Sequence, residues 1–268
     1  MKAISWNCQG IGPALTVKAL KELRNKYDPN LVFLMETRNG KEVLERIRER
    51  MRFENGFYVD PEGLSGGLVL WWNNEVKVKV LEASKNGIDT LVTMGNNGGM
   101  SRVSWIYGST DFEERKSQWE YIKKSMVIFS IPWMCIGDFN EVKENAKKEG
   151  GKWRSRRRIN CFQEFINECG LLEVPYKGQM YTWFNRRENG MIRERLDRAM
   201  VNLQWEEEYP STQVLNLPAV GSDHSPIFVN SSCQEKKSPR RFKFEILWAE
   251  LEGCVEAIKE GWEFNIQG

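Results

Sequence analysis

Leu31-Val32-Phe33-Leu34-Met35-Glu36 is a run of five apolar residues closed by a carboxylate. An unbroken apolar run of this length marks a strand buried on both faces, inside a sheet that is covered on either side. Before it, Val17, Leu20 and Leu23 stand at helical spacing and predict a helix that ends near Tyr27, ahead of Asp28-Pro29-Asn30. After it, Val43, Leu44, Ile47 and Met51 predict a second helix. Strands alternating with helices predict an α/β domain.

The rest of the chain extends this pattern. Ala3 to Cys8 alternates as a short strand does, and Gly66-Gly67 opens a strand at Leu68–Trp72. Further strands are expected at Val76–Leu81, Leu91–Met94, Val103–Tyr107 and Trp133–Ile136, with Asn96-Asn97-Gly98-Gly99 as a turn. Tyr181–Phe184, Gln213–Leu217 and Ile227–Val229 also read as strands, and Asn189-Gly190 signals a hairpin. Trp119, Ile122 and Met126, then Ile159, Phe162, Ile166 and Cys169, mark two more helices. The expected organisation is one domain over 1–230, a basic linker over 231–241 and a helical tail over 242–268.

Composition narrows the function. Of 268 residues 41% are hydrophobic, with 11 Trp and 13 Phe, enough to fill a large core. No apolar run approaches the roughly 20 residues of a membrane span, and the N-terminus turns polar too soon for a signal peptide. The six cysteines form no Cys-x-x-Cys pair, and with a single histidine they do not build a zinc site. Reduced thiols in an intracellular protein are the natural reading. There is no Gly-x-x-x-x-Gly-Lys phosphate loop.

A net charge of +2 says little, but its distribution says more. Lys147, Lys148, Lys152, Arg154, Arg156, Arg157 and Arg158 face the single acid Glu149 in one short segment. A second group, Arg186, Arg187, Arg193, Arg195 and Arg198, follows Trp183. Such runs read equally as solvated faces or as grips for phosphates.

The only histidine, His224, lies in Gly221-Ser222-Asp223-His224-Ser225-Pro226. Alone, that stretch reads more readily as a polar turn than as a site. Its context changes the reading, because Asn7, Glu36, Tyr107, Asp138, Asn140, Asp197, Asp223 and His224 all stand at or near strand ends. Phosphoester cleavage needs hard oxygen ligands for a divalent metal, a base for water and donors for the gathering charge. This inventory supplies all three, and an acid such as Asp197 beside the imidazole would favour its charged form.

Trp6-Asn7, Met35-Glu36-Thr37, Tyr107-Gly108, Gly137-Asp138-Phe139-Asn140, Tyr181-Thr182-Trp183, Arg195-Leu196-Asp197-Arg198 and Ser222-Asp223-His224 occur in the order of the endonuclease/exonuclease/phosphatase superfamily, which the chain resembles over residues 1 to about 230. Ser65-Gly66-Gly67-Leu68 with Trp71, Glu149-Gly150-Gly151 and Ser222 to Pro226 resemble more closely the endonuclease domain of plant LINE-type (non-LTR) retrotransposon polyproteins. The resemblance implies a four-layered α/β sandwich, two face-to-face mixed sheets flanked by helices. It implies a DNA nick dependent on Mg²⁺ or Mn²⁺, no cofactor beyond the metal, and a nuclear location.

Residue by residue, the resemblance gives Glu36, with Asn7, to the metal and Asp138 to the water. Asn7 and Asn140 position the phosphate, and Tyr107 assists near the leaving oxygen or the metal. Asp197 pairs with His224, and Asp223 supports the site. Thr182, Arg154, Arg156, Arg157, Arg158, Arg186 and Arg193 are the expected DNA contacts. Gln9 stands where repair enzymes of the superfamily carry an Asp, which removes one negative ligand. LINE polyproteins continue into a reverse transcriptase and this chain stops at Gly268, which leaves a fragment and an element-derived host protein both open. A phosphatase of small phosphoesters and a non-catalytic nucleic-acid-binding remnant stand as alternatives, and oligomeric state is left open.

Overall fold

Leu31 to Met35 form a strand with every residue at 0% exposure in the computed structural model, which describes residues 1–63, 65–95, 98–126, 131–187 and 190–232. The first elements are β1 (Lys2–Asn7), α1 (Ala14–Tyr27), β2 (Leu31–Met35), α2 (Lys41–Arg50), β3 (Asn55–Val59) and β4 (Leu68–Trp72). There follow β5 (Val76–Ser84), β6 (Gly87–Met94), β7 (Met100–Tyr107), α3 (Phe112–Met126) and β8 (Trp133–Asp138). A 3-10 turn at Asn145–Lys147 leads to β9 (Lys148–Glu149), α4 (Arg156–Glu168), β10 (Leu172–Glu173) and β11 (Tyr176–Gly178). The chain continues with β12 (Trp183–Arg187), β13 (Gly190–Glu194), β14 (Asp197–Val201), α5 (Leu203–Glu208), β15 (Gln213–Asn216) and β16 (Ile227–Asn230).

One sheet has seven strands in the order β11-β15-β16-β1-β2-β4-β3, and a second has six in the order β10-β14-β8-β7-β6-β5. Both mix directions. β1 is parallel to β2 and antiparallel to β16, and β7 is parallel to β8 beside antiparallel neighbours. The two-residue period of a strand sends Leu31, Phe33 and Met35 into one core with Val103, Trp105, Met134 and Ile136 of the other sheet. Val32 and Leu34 point the opposite way, against Leu20 of α1 and Leu44 and Ile47 of α2. On the far side, Ile106 and Cys135 meet Trp119 of α3 and Phe162 and Phe165 of α4. The layers are helices, sheet, sheet, helices, the expected sandwich. Each such side chain removed from water contributes about 1.5–3 kcal/mol.

Several elements go beyond the sequence reading. β3, β10, β11, β14 and α5 were not anticipated, and the basic segment contains β9, an irregular stretch over 150–155 and the first turn of α4. β9 joins β12 and β13 in a three-stranded sheet. The expected hairpin strands pair from Trp183↔Glu194 to Arg187↔Gly190, while its turn residue Asn189 and the turn residues Asn96 and Asn97 lie outside the described residues. The linker from residue 233 onward and the helical tail also lie outside them. Among the described residues no helix is long and apolar enough to cross a membrane.

Candidate active site

The central strands of both sheets end together. β1 ends at Asn7 and β8 at Asp138, each at 0% exposure. β7 ends at Tyr107, level with Asp138, and β14 starts at Asp197, paired opposite Asp138. Gly137 permits this closeness: its φ is 148°, and a Cβ there would lie 1.9 Å from the Ile106 carbonyl oxygen. Glu36 leaves β2 with φ 51° and Asn140 follows β8 with φ 51°. Left-handed backbone at two non-glycine residues beside one site is a strain that the surrounding fold must hold.

The histidine loop is clamped from two sides. Ser222 Oγ donates to the Asn7 carbonyl at 2.7 Å, and Trp6 Nε1 donates to the His224 carbonyl at 3.1 Å. On the other side, Ser225 N–H donates to the Thr182 carbonyl at 2.7 Å, and Trp183 forms an isolated bridge with His224. His224 Nδ1 then lies 3.0 Å from Asp197 Oδ2. Its Nε2 lies 3.5 Å from Asn7 Nδ2, 3.7 Å from Asp138 Oδ2 and 4.0 Å from Asp223 Oδ1. Asn7 Nδ2 donates to Glu36 Oε1 at 3.0 Å and to Asp138 Oδ2 at 3.2 Å. Tyr107 Oη donates to Glu36 Oε1 at 3.1 Å, and Asn140 donates its backbone N–H to Asp138 Oδ1 at 2.9 Å.

Electrostatics assign protonation states. Burial disfavours charge on His224, but Asp197 and Asp138 outweigh it and raise its pKa from 6.5 to about 9. Burial raises Asp138 to about 6, against the pull of His224, so it is ionised at neutral pH. Burial works to raise Glu36, yet the bonds from Asn7, Arg38 and Tyr107 hold it below the ordinary carboxylate value. Burial and the charges of Glu36 and Asp138 push Tyr107 far up, so it stays a phenol that donates.

The oxygens test whether a divalent cation fits. Asp197 Oδ1 and Asp223 Oδ1 are buried without a hydrogen-bond partner. Orphaned carboxylate oxygens in a site rich in negative charge suit a hard cation. Glu36 is the best placed to hold it, because its Oε2 is paired only with Arg38, 2.6 Å away and 43% exposed, a partner free to leave. Asp138, Asp197 and His224 also bring ligand atoms within 4.8 Å of one another. Histidine ligates only when neutral, however, and its two carboxylate neighbours keep this one charged.

Several expected roles change with the geometry. Asn7 was expected as a metal ligand, but two carboxylates, Glu36 and Asp138, draw its N–H groups, and its oxygen turns to the Gln9 N–H at 3.4 Å. Of the two places expected for Tyr107, near the leaving oxygen or near the metal, its bond to Glu36 puts it on the metal side. Asp223 is held away from the imidazole by Trp183, whose Nε1 donates to its Oδ2 at 3.0 Å. Thr182, expected to touch DNA, is at 0% exposure, and its hydroxyl accepts the N–H of Leu196 at 3.0 Å and of Asp197 at 2.9 Å. It has no surface to offer a strand.

The arginines divide as well. Arg154 binds Glu194 at 2.6 Å, and Arg158 binds Glu141 at 3.1 Å; both acids are nearly inaccessible, and Arg115 also pairs with Glu141 at 2.7 Å. These cations are committed inward because buried carboxylates require partners. Arg157 pairs with Glu113 and Arg193 with Glu149 at the surface. Arg156 and Arg186 are exposed, with no ion pair among the described residues. The partnership of Arg38 with Glu36 was missed: the two lie two residues apart, both on left-handed backbone, φ 51° and 52°.

The sequence model of the Endonuclease/Exonuclease/phosphatase family matches residues 4–224. Among solved structures, an AP endonuclease from Archaeoglobus fulgidus aligns with TM-score 0.68 at 14% identity, over 87% of this chain and 100% of its own. The 3' phosphatase NExo from Neisseria, bound to a product DNA hairpin, aligns with TM-score 0.64 at 18% identity, over 86% and 98%. The endonuclease domain of TRAS1, a telomere-specific non-LTR retrotransposon, aligns with TM-score 0.63 at 14% identity, over 87% and 99%. At these identities the likeness is one of fold. Among curated proteins the comparison finds no match.

Proposed function

The chain belongs to the endonuclease/exonuclease/phosphatase family, and from that premise we propose that it is a metal-dependent DNA endonuclease that nicks a phosphodiester by in-line attack of water. The observation that carries this reading is the imidazole of His224, gripped by Asp197 at Nδ1 and open at Nε2 toward Asn7 and Asp138.

The residues divide the work. His224, kept protonated, donates from Nε2 to a phosphate oxygen as charge gathers there. Asp138, ionised above about pH 6, orients water and accepts its proton, with a basicity suited to neutral pH. Asn7 and Asn140 hold Asp138 by donating to it and lie where a phosphate oxygen would be bound. Tyr107, Asn7 and Arg38 fix the Glu36 carboxylate. Mg²⁺ or Mn²⁺ held by Glu36 would neutralise phosphate charge as a Lewis acid.

The resemblance of Ser222 to Pro226 and of Gly66-Gly67 to the LINE branch, together with the fold shared with the TRAS1 domain, supports target-site nicking of the retrotransposon kind. A DNA substrate supports a nuclear location. The test is conversion of supercoiled plasmid to open circle with Mg²⁺, with and without chelator, beside His224→Ala. Wild type should nick and the variant should be slower by about two to four orders of magnitude. Equal nicking by both proteins, or faster hydrolysis of small phosphomonoesters than of plasmid, would overturn the reading.

A further inference from the structure

We propose that Trp153 is a base-stacking contact for bound nucleic acid, a few nucleotides from the cleavage point; this rests on the DNA reading above. Trp153 is 72% exposed, more than any other large apolar side chain among the described residues. A scattered exposed apolar residue ordinarily needs no account. This one is presented on a fixed mount.

Behind it, Gly150 and Gly151 have φ of 74° and 65°. A Cβ on Gly150 would lie 2.3 Å from the Met191 carbonyl oxygen, and one on Gly151 would lie 2.8 Å from Ile192 Cδ1. Only glycines let the chain lie that flat against β13. Ahead of it, Asn145 clamps both backbone groups of Arg154: Oδ1 accepts its N–H at 3.1 Å and Nδ2 donates to its carbonyl at 3.4 Å. Arg154 is further tied to Glu194, and Ser155 caps α4. Between two anchored points, the indole stands out in solvent beside Lys152 and Arg156, both exposed and without an ion pair among the described residues.

The mount is joined to the site. Lys148, Glu194 and Trp183 form one row across the three-stranded sheet. At about 4.8 Å per strand, β9 lies roughly 10 Å across from Trp183. The Trp183 ring centroid is 6.4 Å from that of His224. With an axial rise of about 3.4 Å per nucleotide in duplex DNA, Trp153 falls on the order of three to six nucleotides from the imidazole. A protein partner calls for a broad apolar patch, whereas a lone aromatic face among unpaired cations suits a stacked base on a phosphate backbone.

The test uses duplexes with phosphorothioate linkages that resist cutting, scanned with 2-aminopurine near the cleavage site. Binding is followed by anisotropy in Mg²⁺. Wild type should quench 2-aminopurine at one or two adjacent positions. Trp153→Ala should lose that quenching and bind about five- to a hundredfold more weakly, while Trp153→Phe retains most of both. The side chain is exposed, so all three proteins should share one melting temperature. If wild type binds but Trp153→Ala matches it in affinity and quenching, the stacking proposal falls and the endonuclease reading stands. If wild type binds no DNA, both fall.

Discussion

The hydroxyl of Thr182 accepts the backbone N–H of Asp197 at 2.9 Å. The residue entering the hairpin thus sets the position of the carboxylate that grips His224. Thr182→Val keeps the shape and leaves the N–H groups of Leu196 and Asp197 without their acceptor. Each orphaned donor costs about 1–3 kcal/mol. The expected outcome is a less stable protein with slowed nicking and unchanged DNA affinity. A loss of affinity at unchanged rate would instead make Thr182 a DNA contact.

His224 is the only histidine, so its ring gives a single imidazole NMR signal. That signal should titrate with a midpoint near about 9. The pKa is raised on folding, so its contribution to stability is complete below about 6.5 and is lost as pH rises through about 9. Asp197→Asn should move the midpoint down. A midpoint at the ordinary value in wild type would mean that the two residues do not pair in solution.

Arg38 and a cation compete for one carboxylate. Arg38→Ala should tighten Mn²⁺ binding by up to about fivefold, since a partly exposed ion pair is worth no more than about 1 kcal/mol. Glu36→Gln should abolish the main binding event in calorimetry. Weaker binding in Arg38→Ala would show that the arginine builds the cation site.

The arginines should separate by salt dependence. Arg156→Ala and Arg186→Ala should each make the slope of log affinity against log salt shallower by about 0.9. Arg154→Ala, which deprives the nearly inaccessible Glu194 of a partner, should lower stability by about 1–3 kcal/mol and be read first in the melting temperature. The same slope change from Arg154→Ala, without loss of stability, would reverse the assignment.

These cases show which parts of the molecule were legible. β2, β8 and β16 announce themselves because residues facing two covered layers must be apolar throughout. The meeting of Asp197 with His224 was readable from motif order. β14 was hidden because it opens on Asp197 and Arg198, charged residues that are buried only because Glu173 and the site receive them. The basic segment misled for the same reason. Its inward partners Glu141 and Glu194 are set by tertiary contacts, so no local pattern separates Arg154 from Arg156.

β1 gains one neighbour from β2 at once and the other from β16 only near residue 230. Asn7 and His224 are 217 positions apart. At about 5–20 residues per second, a ribosome needs roughly 10–40 s to travel from one to the other. During that interval the emerging polypeptide gains Glu36, Asp138 and Asp197 in turn but no imidazole, and one edge of β1 is bare. The site is therefore complete only when the last strand of the sheet, β16, closes over β1.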